Sequence, residues 1–388
     1  MTSYKKKIVF FTGSRSEYDL MSGLYHEVKK IKKFKVSLIV SGSHSSKKFG
    51  STYKKIDKDK IQIDSFVKIL NKFDTKKDIV KSISDVLTKN FKYLNNLKPN
   101  LVFLIGDRYE TFSISLLCLI LKIPVAHIHG GEVTEGSYDD NFRHSITKFS
   151  KYHFVANSVF KRRVIQLGEQ PKNVYNVGGL GVDNIKRLKI LKKNSILKKF
   201  SIKENYFLAT FHPSSLDNNK SENYLKNFLS LLKYFKNYDL VITYPNAEEG
   251  NEKIIKILKE YQRKNKNLKL FKSLGLINYL SLMKYTKLVI GNSSSGIAEA
   301  PSYNVPTINI GNRQKGRIFA QSVIQCNGSV SDIKKKIKKV LSKSFLMKIK
   351  NNRNPYGNGG ASKNILKILK NLNLDELSIS KQFYDLEK

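Results

Sequence analysis

The stretch from Ile105 to His144 reads IGDRYETFSISLLCLILKIPVAHIHGGEVTEGSYDDNFRH, and its polar residues are of the kinds that move protons. Asp107, Glu132, Asp139 and Asp140 are carboxylates, His129 and His144 are imidazoles, and Arg108 and Arg143 are cations set among them. Taking a weakly acidic proton from carbon needs a base within hydrogen-bond reach, and expelling a phosphate leaving group needs positive charge opposite it. The chain offers both. A purely structural reading stands beside each assignment. Asp107 can satisfy loop amides or pair with Arg108, Asp139 and Asp140 can cap the helix that carries Arg143 and His144, and His127 reads as a satisfied core histidine. His127 and His129 on one short strand end, with no third ligand at metal spacing and no C-x-x-C or H-E-x-x-H, make a poor metal pair, so no catalytic zinc is expected.

A second group of residues suits a phosphate. Gly291 to Gly296 reads GNSSSG between an apolar run and a short helix. Small residues let the backbone approach an anion, Ser293 and Ser294 add hydroxyl donors, and a helix start carries partial positive charge. That charge contributes only ~0.3–1 kcal/mol where exposed, so a pyrophosphate needs further donors. Arg313 and Arg317 in GNRQKGR and His212 in FHPSS, in loops that follow neighbouring strands, can supply them. Glu299, one turn into the helix, can accept hydrogen bonds from ribose hydroxyls. The competing reading of GNSSSG is a flexible loop. Near the start, FTGSRSEYDL places Gly13 at a strand end and a helix beginning near Glu17, so that Arg15 and the first amides can face an anion. The competing reading there is a plain turn with Ser16 as the helix cap. The spacing is not G-x-G-x-x-G, which disfavours a nicotinamide cofactor.

These residues need a scaffold that brings strand ends together. Apolar runs of strand length alternate with amphipathic stretches of helical length, the pattern of parallel sheets covered on both faces. The first half predicts strands at Lys7–Thr12, Lys35–Ser41, Leu101–Ile105, Pro124–His129, Tyr152–Ala156 and Val174–Val177, with helices at Tyr18–Lys32, Lys76–Leu97 and Glu110–Leu121. The second half predicts strands at Tyr206–Phe211, Leu240–Tyr244, Leu268–Phe271, Lys287–Ile290, Thr307–Ile310 and Ser322–Cys326. The fold class is therefore α/β, two Rossmann-like doubly wound domains in tandem facing a central cleft, the default place for a nucleotide-linked ligand. The domains expected are 1–180 with the acid/base residues, 181–360 with the phosphate-binding loops, and 361–388 as a final helix, Ala361–Leu372, crossing back to the first domain. The linker expected is the cluster of Gly178, Gly179 and Gly181 with the basic stretch Lys186–Lys203.

Composition narrows the classes. A chain of 388 residues suits two domains, since one domain runs to roughly 100–200 residues. The 40% hydrophobic content belongs to a globular protein, and no apolar run approaches the ~18 residues that span a bilayer. The N-terminus leads at once into a strand with no room for a secretory signal, which points to the cytoplasm. A formal charge of +40 suggests polyanion binding, but the lysines are scattered along helices and no arginine–aromatic ribbon gathers them into a groove reader, so neither a nucleic acid nor a membrane partner is expected. Cys118 and Cys326 lie in apolar settings in different halves and form no disulfide framework.

With these residues assembled, the chain resembles the hydrolysing UDP-N-acetylglucosamine 2-epimerase family, the enzymes that feed sialic-acid-type sugar synthesis. Six motifs carry the resemblance in order along nearly the whole chain: GSRSEYDL, GDRYE, HIHGGEVTEGSYDDNFRHSITK, the FHP segment, GNSSSGIAEAP and GNRQKGR. The resemblance implies a glycosyltransferase-B-type fold, no cofactor, a UDP-sugar substrate, release of UDP by anti elimination through a 2-acetamidoglucal, and hydration to the free epimerised sugar. It makes Asp107 and Asp139 acid/base residues and His212 the group that stabilises the departing diphosphate. Arg15, Arg108, Arg143, His144, Ser293, Ser294, Glu299, Arg313 and Arg317 become ligands of nucleotide or sugar. Some members carry glutamate where this chain has His129, so either His129, with an ordinary pKa of about 6.5, or Glu132 takes that acid/base role. Relatives accept UDP-N-acetylglucosamine or UDP-linked 2,4-diacetamido-2,4,6-trideoxyglucose, the latter on the way to legionaminic acid, and form dimers or tetramers. The alternatives are a non-hydrolysing 2-epimerase, a glycosyltransferase of the same fold, and a non-catalytic polyanion binder.

Overall fold

The structure is a computed structural model and describes residues 5–69, 75–214, 216, 220–375 and 378–386. The chain divides into two compact units: Met1–Glu132, Asp139–Asn184 and Gly359–Lys388 form the first, and Val133–Tyr138 with Ile185–Asn358 the second. Each is built on one parallel sheet, as the alternation of apolar runs and amphipathic stretches requires. Among the described residues no helix is long and apolar enough to cross a membrane.

The first sheet contains β1 (Lys6–Thr12), β2 (Phe34–Val40), β3 (Ser65–Phe66), β4 (Leu101–Ile105), β5 (Val125–Ile128), β6 (Tyr152–Val155) and β7 (Val174–Asn176), in the order β3-β2-β1-β4-β5-β6-β7. Only β3 escapes a sequence reading, because two residues, one of them serine, make no apolar run. Phe10 on β1 pairs in register with Phe103 on β4, and their rings stack at 4.8 Å. The small Ala126 opposite Phe103 on β5 leaves room for Phe154 of β6 to stack on that ring at 6.1 Å. The helix Ala361–Asn371 adds Ala361, Ile365 and Leu369, one stripe at i, i+4 spacing, to this core. Burying Ile365 or Leu369 contributes about 1.5–3 kcal/mol each. The Asp183 carboxylate accepts the Gly360 and Ser362 amides at 2.6 and 3.2 Å, which fixes where that helix starts.

The second sheet contains β8 (Tyr206–Thr210), β9 (Asp239–Thr243), β10 (Leu268–Phe271), β11 (Leu288–Gly291), β12 (Thr307–Ile310) and β13 (Val323–Cys326), in the order β10-β9-β8-β11-β12-β13. Its core is mainly aliphatic, with Phe207, Phe211 and Phe228 among Leu and Ile from β9, β10, β11 and β12 and from the helix Val330–Val340.

The chain passes from the first unit to the second at Asn184 and Ile185, inside the expected linker, which is helical over Leu180–Arg187 and Lys193–Phe200, where Ile196 and the partly buried Ile185, Leu188 and Leu197 join an apolar cluster. Two local expectations need correction. The first helix runs Arg15–Lys29 and is capped by Ser14, whose hydroxyl accepts from the Glu17 amide, rather than by Ser16. Glu299 lies at the C-terminal cap of the short helix Ser295–Ala298, not one turn inside it. Cys118 and Cys326 are buried free thiols.

Candidate active site

Where the strand order of a parallel sheet reverses, successive crossovers leave in opposite directions and open a crevice at the strands' carboxyl ends. The first sheet reverses between β1 and β4, the second between β8 and β11. The loops leaving those four strands carry Gly13–Arg15, Gly106–Arg108, Phe211–Pro213 and Asn292–Ser294. The expected chemistry falls on these loops and their neighbours.

In the first unit the organising group is Arg143, a guanidinium only 1% exposed. Its Nη2 donates to Asp107 Oδ2, and its Nη1 donates to Asp140 Oδ1 at 2.8 Å and to the Glu132 carbonyl at 2.9 Å. A cation so buried needs opposite charge and filled donor positions. Two carboxylates and one carbonyl, from the loops after β4 and β5 and from the helix Asp139–Phe149, provide them. Asp139 opens that helix, and Asp140 Oδ2 also lies 3.5 Å from His144 Nε2. His129 follows β5 with φ +69, the left-handed region that few side chains adopt. Its Nε2 accepts the Leu180 amide at 3.2 Å, and its Nδ1 is 3.6 Å from Glu132 Oε1. The structure thus gathers Asp107, His129, Glu132, Asp140 and Arg143, with Asp139 and His144 on the same helix as the arginine. His127 is a core histidine, bonded to the Gly106 carbonyl at 2.8 Å and to Thr147 Oγ1 at 3.2 Å, and burial depresses its pKa to about 3.

Arg108 points into a different network. Its Nε and Nη2 meet Glu110 at 3.0 and 3.1 Å in a bidentate pair. Beside it Glu17 accepts the Gly13 amide at 2.7 Å and the Thr111 hydroxyl at 2.9 Å. Burial raises the Glu17 pKa to about 7, against the pull of Arg108 and with a push from Glu110. The loops after β1 and β2 close tightly over this network: a Cβ on Gly42, whose φ is +59, would lie 2.2 Å from the Gly13 carbonyl. Only glycine fits there. Arg15 stands half-buried in the first turn of its helix, next to the capping Ser14.

In the second unit the organising group is Asn292. Its Oδ1 accepts the His212 amide at 2.6 Å and its Nδ2 donates to the His212 carbonyl at 2.8 Å, while its own carbonyl accepts from Arg313 Nη1 and Gln314 Nε2 at 3.3 and 3.1 Å. Gly291, with φ +137, lets β11 pass close to β8, since a Cβ would meet the Thr210 carbonyl at 2.1 Å. His212 Nδ1 accepts the Asn246 amide at 3.2 Å, which places the proton of the neutral ring on Nε2. Arg313 forks onto both oxygens of Glu248 at 3.1 Å and donates to the Pro213 carbonyl at 3.2 Å, so it ties three loops together. Ser293 bonds Ser295 Oγ at 3.1 Å, and Ser294 is exposed. The Arg317 amide closes onto the Gln314 carbonyl at 3.2 Å. Burial pushes the Glu299 pKa up to about 8, and its Oε2 is buried with no hydrogen-bond partner among the described residues.

Sequence reasoning missed Asn292 and Glu248, which hold His212 and Arg313 in place, and Glu17 and Glu110, which neutralise Arg108. Asn292 lies inside the GNSSSG motif and Glu17 inside FTGSRSEYDL, but nothing in a string tells an amide that clamps two loops from one that faces water. Among the described residues no group of three or more His, Cys, Asp or Glu side chains is placed to hold a metal ion.

The chain is similar along most of its length to known proteins. A family model described as UDP-N-acetylglucosamine 2-epimerase matches residues 26–370. A Campylobacter jejuni protein named GDP/UDP-N,N'-diacetylbacillosamine 2-epimerase (hydrolyzing) is 40% identical, over 98% of this chain and 100% of its own. The Escherichia coli polysialic acid biosynthesis protein P7 is 36% identical over 98% of both chains. Among solved structures, UDP-GlcNAc 2-epimerase from Neisseria meningitidis bound to UDP-GlcNAc has a TM-score of 0.80 at 21% identity, covering 94% of this chain and 100% of the other.

Proposed function

From its membership of the UDP-N-acetylglucosamine 2-epimerase family, to which the chain belongs, we propose that this protein is a hydrolysing UDP-sugar 2-epimerase. It takes a UDP-linked 2-acetamido sugar and releases UDP and the free 2-epimer. Elimination moves the proton on C2 to a base as the C1–O bond breaks, with both electrons leaving on UDP. Hydration of the resulting 2-acetamidoglucal returns a proton to C2 and bonds the oxygen of water to C1, with no net oxidation. Asp107 and Asp139 serve as acid/base groups, His212 donates to the departing diphosphate, Glu299 accepts from the ribose hydroxyls, and Arg15, Ser293, Ser294 and Arg317 contribute to binding the nucleotide sugar. Arg108 and Arg313 act from within their carboxylate pairs, and Arg143 and His144 fix the sugar end.

The observation that carries this reading is the convergence of Asp107, Asp140 and the Glu132 main chain on one buried guanidinium, which ties Asp107 to the start of the helix that carries Asp139. Similarity to the Campylobacter protein favours a diacetamido trideoxyhexose over N-acetylglucosamine, and we place the reaction in the cytoplasm, carried out by a homo-oligomer. The test is to incubate the protein separately with UDP-GlcNAc and UDP-diacetylbacillosamine, follow nucleotide release, and identify the sugar by NMR. One UDP per free 2-epimer is the expected result. A 2-epimer still attached to UDP makes it a non-hydrolysing enzyme, and a donor stable in the absence of an acceptor makes it a transferase. Asp107→Asn should lower turnover by at least ~10²–10⁴-fold while UDP still binds, and near-normal turnover would sink the acid/base assignment.

A further inference from the structure

Besides Asp107 and Asp139, one further acid/base position is open in the reaction proposed above, and His129 and Glu132 compete for it. Their hydrogen bonds differ. Leu180 is the first residue of the helix Leu180–Arg187, and its amide has no acceptor inside that helix. His129 Nε2 supplies one at 3.2 Å. An imidazole nitrogen accepting a main-chain N–H has its lone pair in use, so it has none to offer a proton, and a protonated Nε2 would set two N–H donors against each other. The ring proton therefore sits on Nδ1, which faces Glu132 Oε1 at 3.6 Å. At that separation a small side-chain shift brings the Nδ1–H within hydrogen-bond reach of the carboxylate, the tightening that catalytic groups commonly undergo when substrate binds. The left-handed backbone at His129 points to the same conclusion, since strain of about 1–3 kcal/mol persists only where the surroundings hold it. Glu132 is buried, and its carbonyl binds the Arg143 guanidinium that also grips Asp107, so its main chain is set relative to that carboxylate.

We infer that Glu132 joins Asp107 and Asp139 as a proton-transfer group of the reaction proposed above, and that His129 is a positioning residue, locked by the Leu180 amide so that its Nδ1–H orients the Glu132 carboxylate. The inference rests on that reaction. Its balance is unchanged: of the two protons of the water that hydrates the glycal, one stays on the new C1 hydroxyl and the other passes to a carboxylate, while a second, protonated carboxyl returns its proton to C2.

The experiment compares Asp107→Asn, Glu132→Gln, His129→Gln and His129→Ala in the full chain, measuring kcat, KM, the pH profile of kcat/KM and deuterium entry at C2 in heavy water with whichever UDP-sugar is turned over. Glu132→Gln should fall together with Asp107→Asn by ~10²–10⁴-fold. His129→Gln offers an amide oxygen to Leu180 and an N–H to Glu132, so it should keep kcat within about tenfold, leave KM and the acid limb of the profile in place, and rescue much of the loss in His129→Ala at equal melting temperature. Loss in His129→Gln as deep as in Asp107→Asn, or an acid limb that disappears with it, overturns the inference even if Glu132→Gln does not fold. Near-normal turnover of Glu132→Gln overturns it as well. Near-normal turnover of Asp107→Asn defeats the underlying reaction instead.

Discussion

The two sheet reversals solve the same geometric problem with different chemistry. Around the first reversal the loops are held by ions: Arg143 with Asp107 after β4 and Asp140 on the helix that follows β5, and Arg108 with Glu110 beside the protonatable Glu17. Between β8 and β11 the holding group is a neutral amide, Asn292, with one ion pair, Arg313–Glu248, outside it. A site that moves protons needs ionisable groups at its surface, and in a desolvated setting those stay charged only when opposite charge backs them. A site that grips a nucleotide needs fixed donors and acceptors, which a neutral amide can align without adding charge that would oppose an anion. On the proposed reaction, the difference between the two halves is a division of labour.

The comparison breaks most sharply at Arg143. Arg143→Ala leaves two carboxylates without their cation and should destabilise the first unit by about 3–5 kcal/mol, seen as an earlier unfolding transition with turnover lost. Arg143→Lys should not rescue it, because a single ammonium cannot fork onto acceptors from three segments. An unchanged melting curve for Arg143→Ala would mean that the ionic network is decoration. The matching change in the second unit is Asn292→Ala, which strips partners from the buried His212 amide and carbonyl. About 1–3 kcal/mol per orphaned group is expected, read by calorimetry as weaker UDP binding with Asp107 chemistry otherwise intact. Unaltered UDP affinity would remove Asn292 from its role.

A smaller effect follows pH within the first unit, where all the groups concerned lie. Burial holds His44 and His127 near a pKa of about 3, well below the unfolded value, so between pH 6.5 and 3 the native chain binds fewer protons than the unfolded one. Stability should fall as pH drops through that window. Glu169 adds to the loss from 4.5 downward: despite burial, its bonds from His153, Lys148 and Lys381 lower its pKa to about 2. Glu17 works in the opposite sense. With a folded pKa raised to about 7, it makes the native state bind the extra proton between pH 4.5 and 7, and stability is lost as pH rises. Glu17→Gln should therefore raise the melting temperature at pH 8 more than at pH 5, by about 1–3 °C. The reverse order would place the proton elsewhere.

Much of this was legible in the string. Alternating apolar runs located every strand except β3 to within about two residues, and Leu101–Ile105, Leu268–Phe271 and Thr307–Ile310 match the structure end for end. Asp107, His129, Glu132, Asp140 and Arg143 could be picked out because a short segment mixes carboxylates, imidazoles and arginines at strand ends. Their partnerships could not. Asp107 and Arg143 are 36 positions apart and meet only because β4 and β5 lie side by side with the helix Asp139–Phe149 packed near them. The roles of Arg108 and Arg313 were hidden for the same reason: a motif names the cation but not the carboxylate that faces it.

Residue order alone determined the α/β class, the tandem of two parallel sheets and the residue types at their carboxyl edges, because strand and helix periodicity and the placement of loops are local properties of the chain. Tertiary structure decided which lone pairs and protons are already engaged. It closed His129 Nε2 with the Leu180 amide, left Glu299 Oε2 without a donor among the described residues and buried Arg143 among its acceptors, since desolvation and hydrogen-bond geometry depend on neighbours that the sequence places far away.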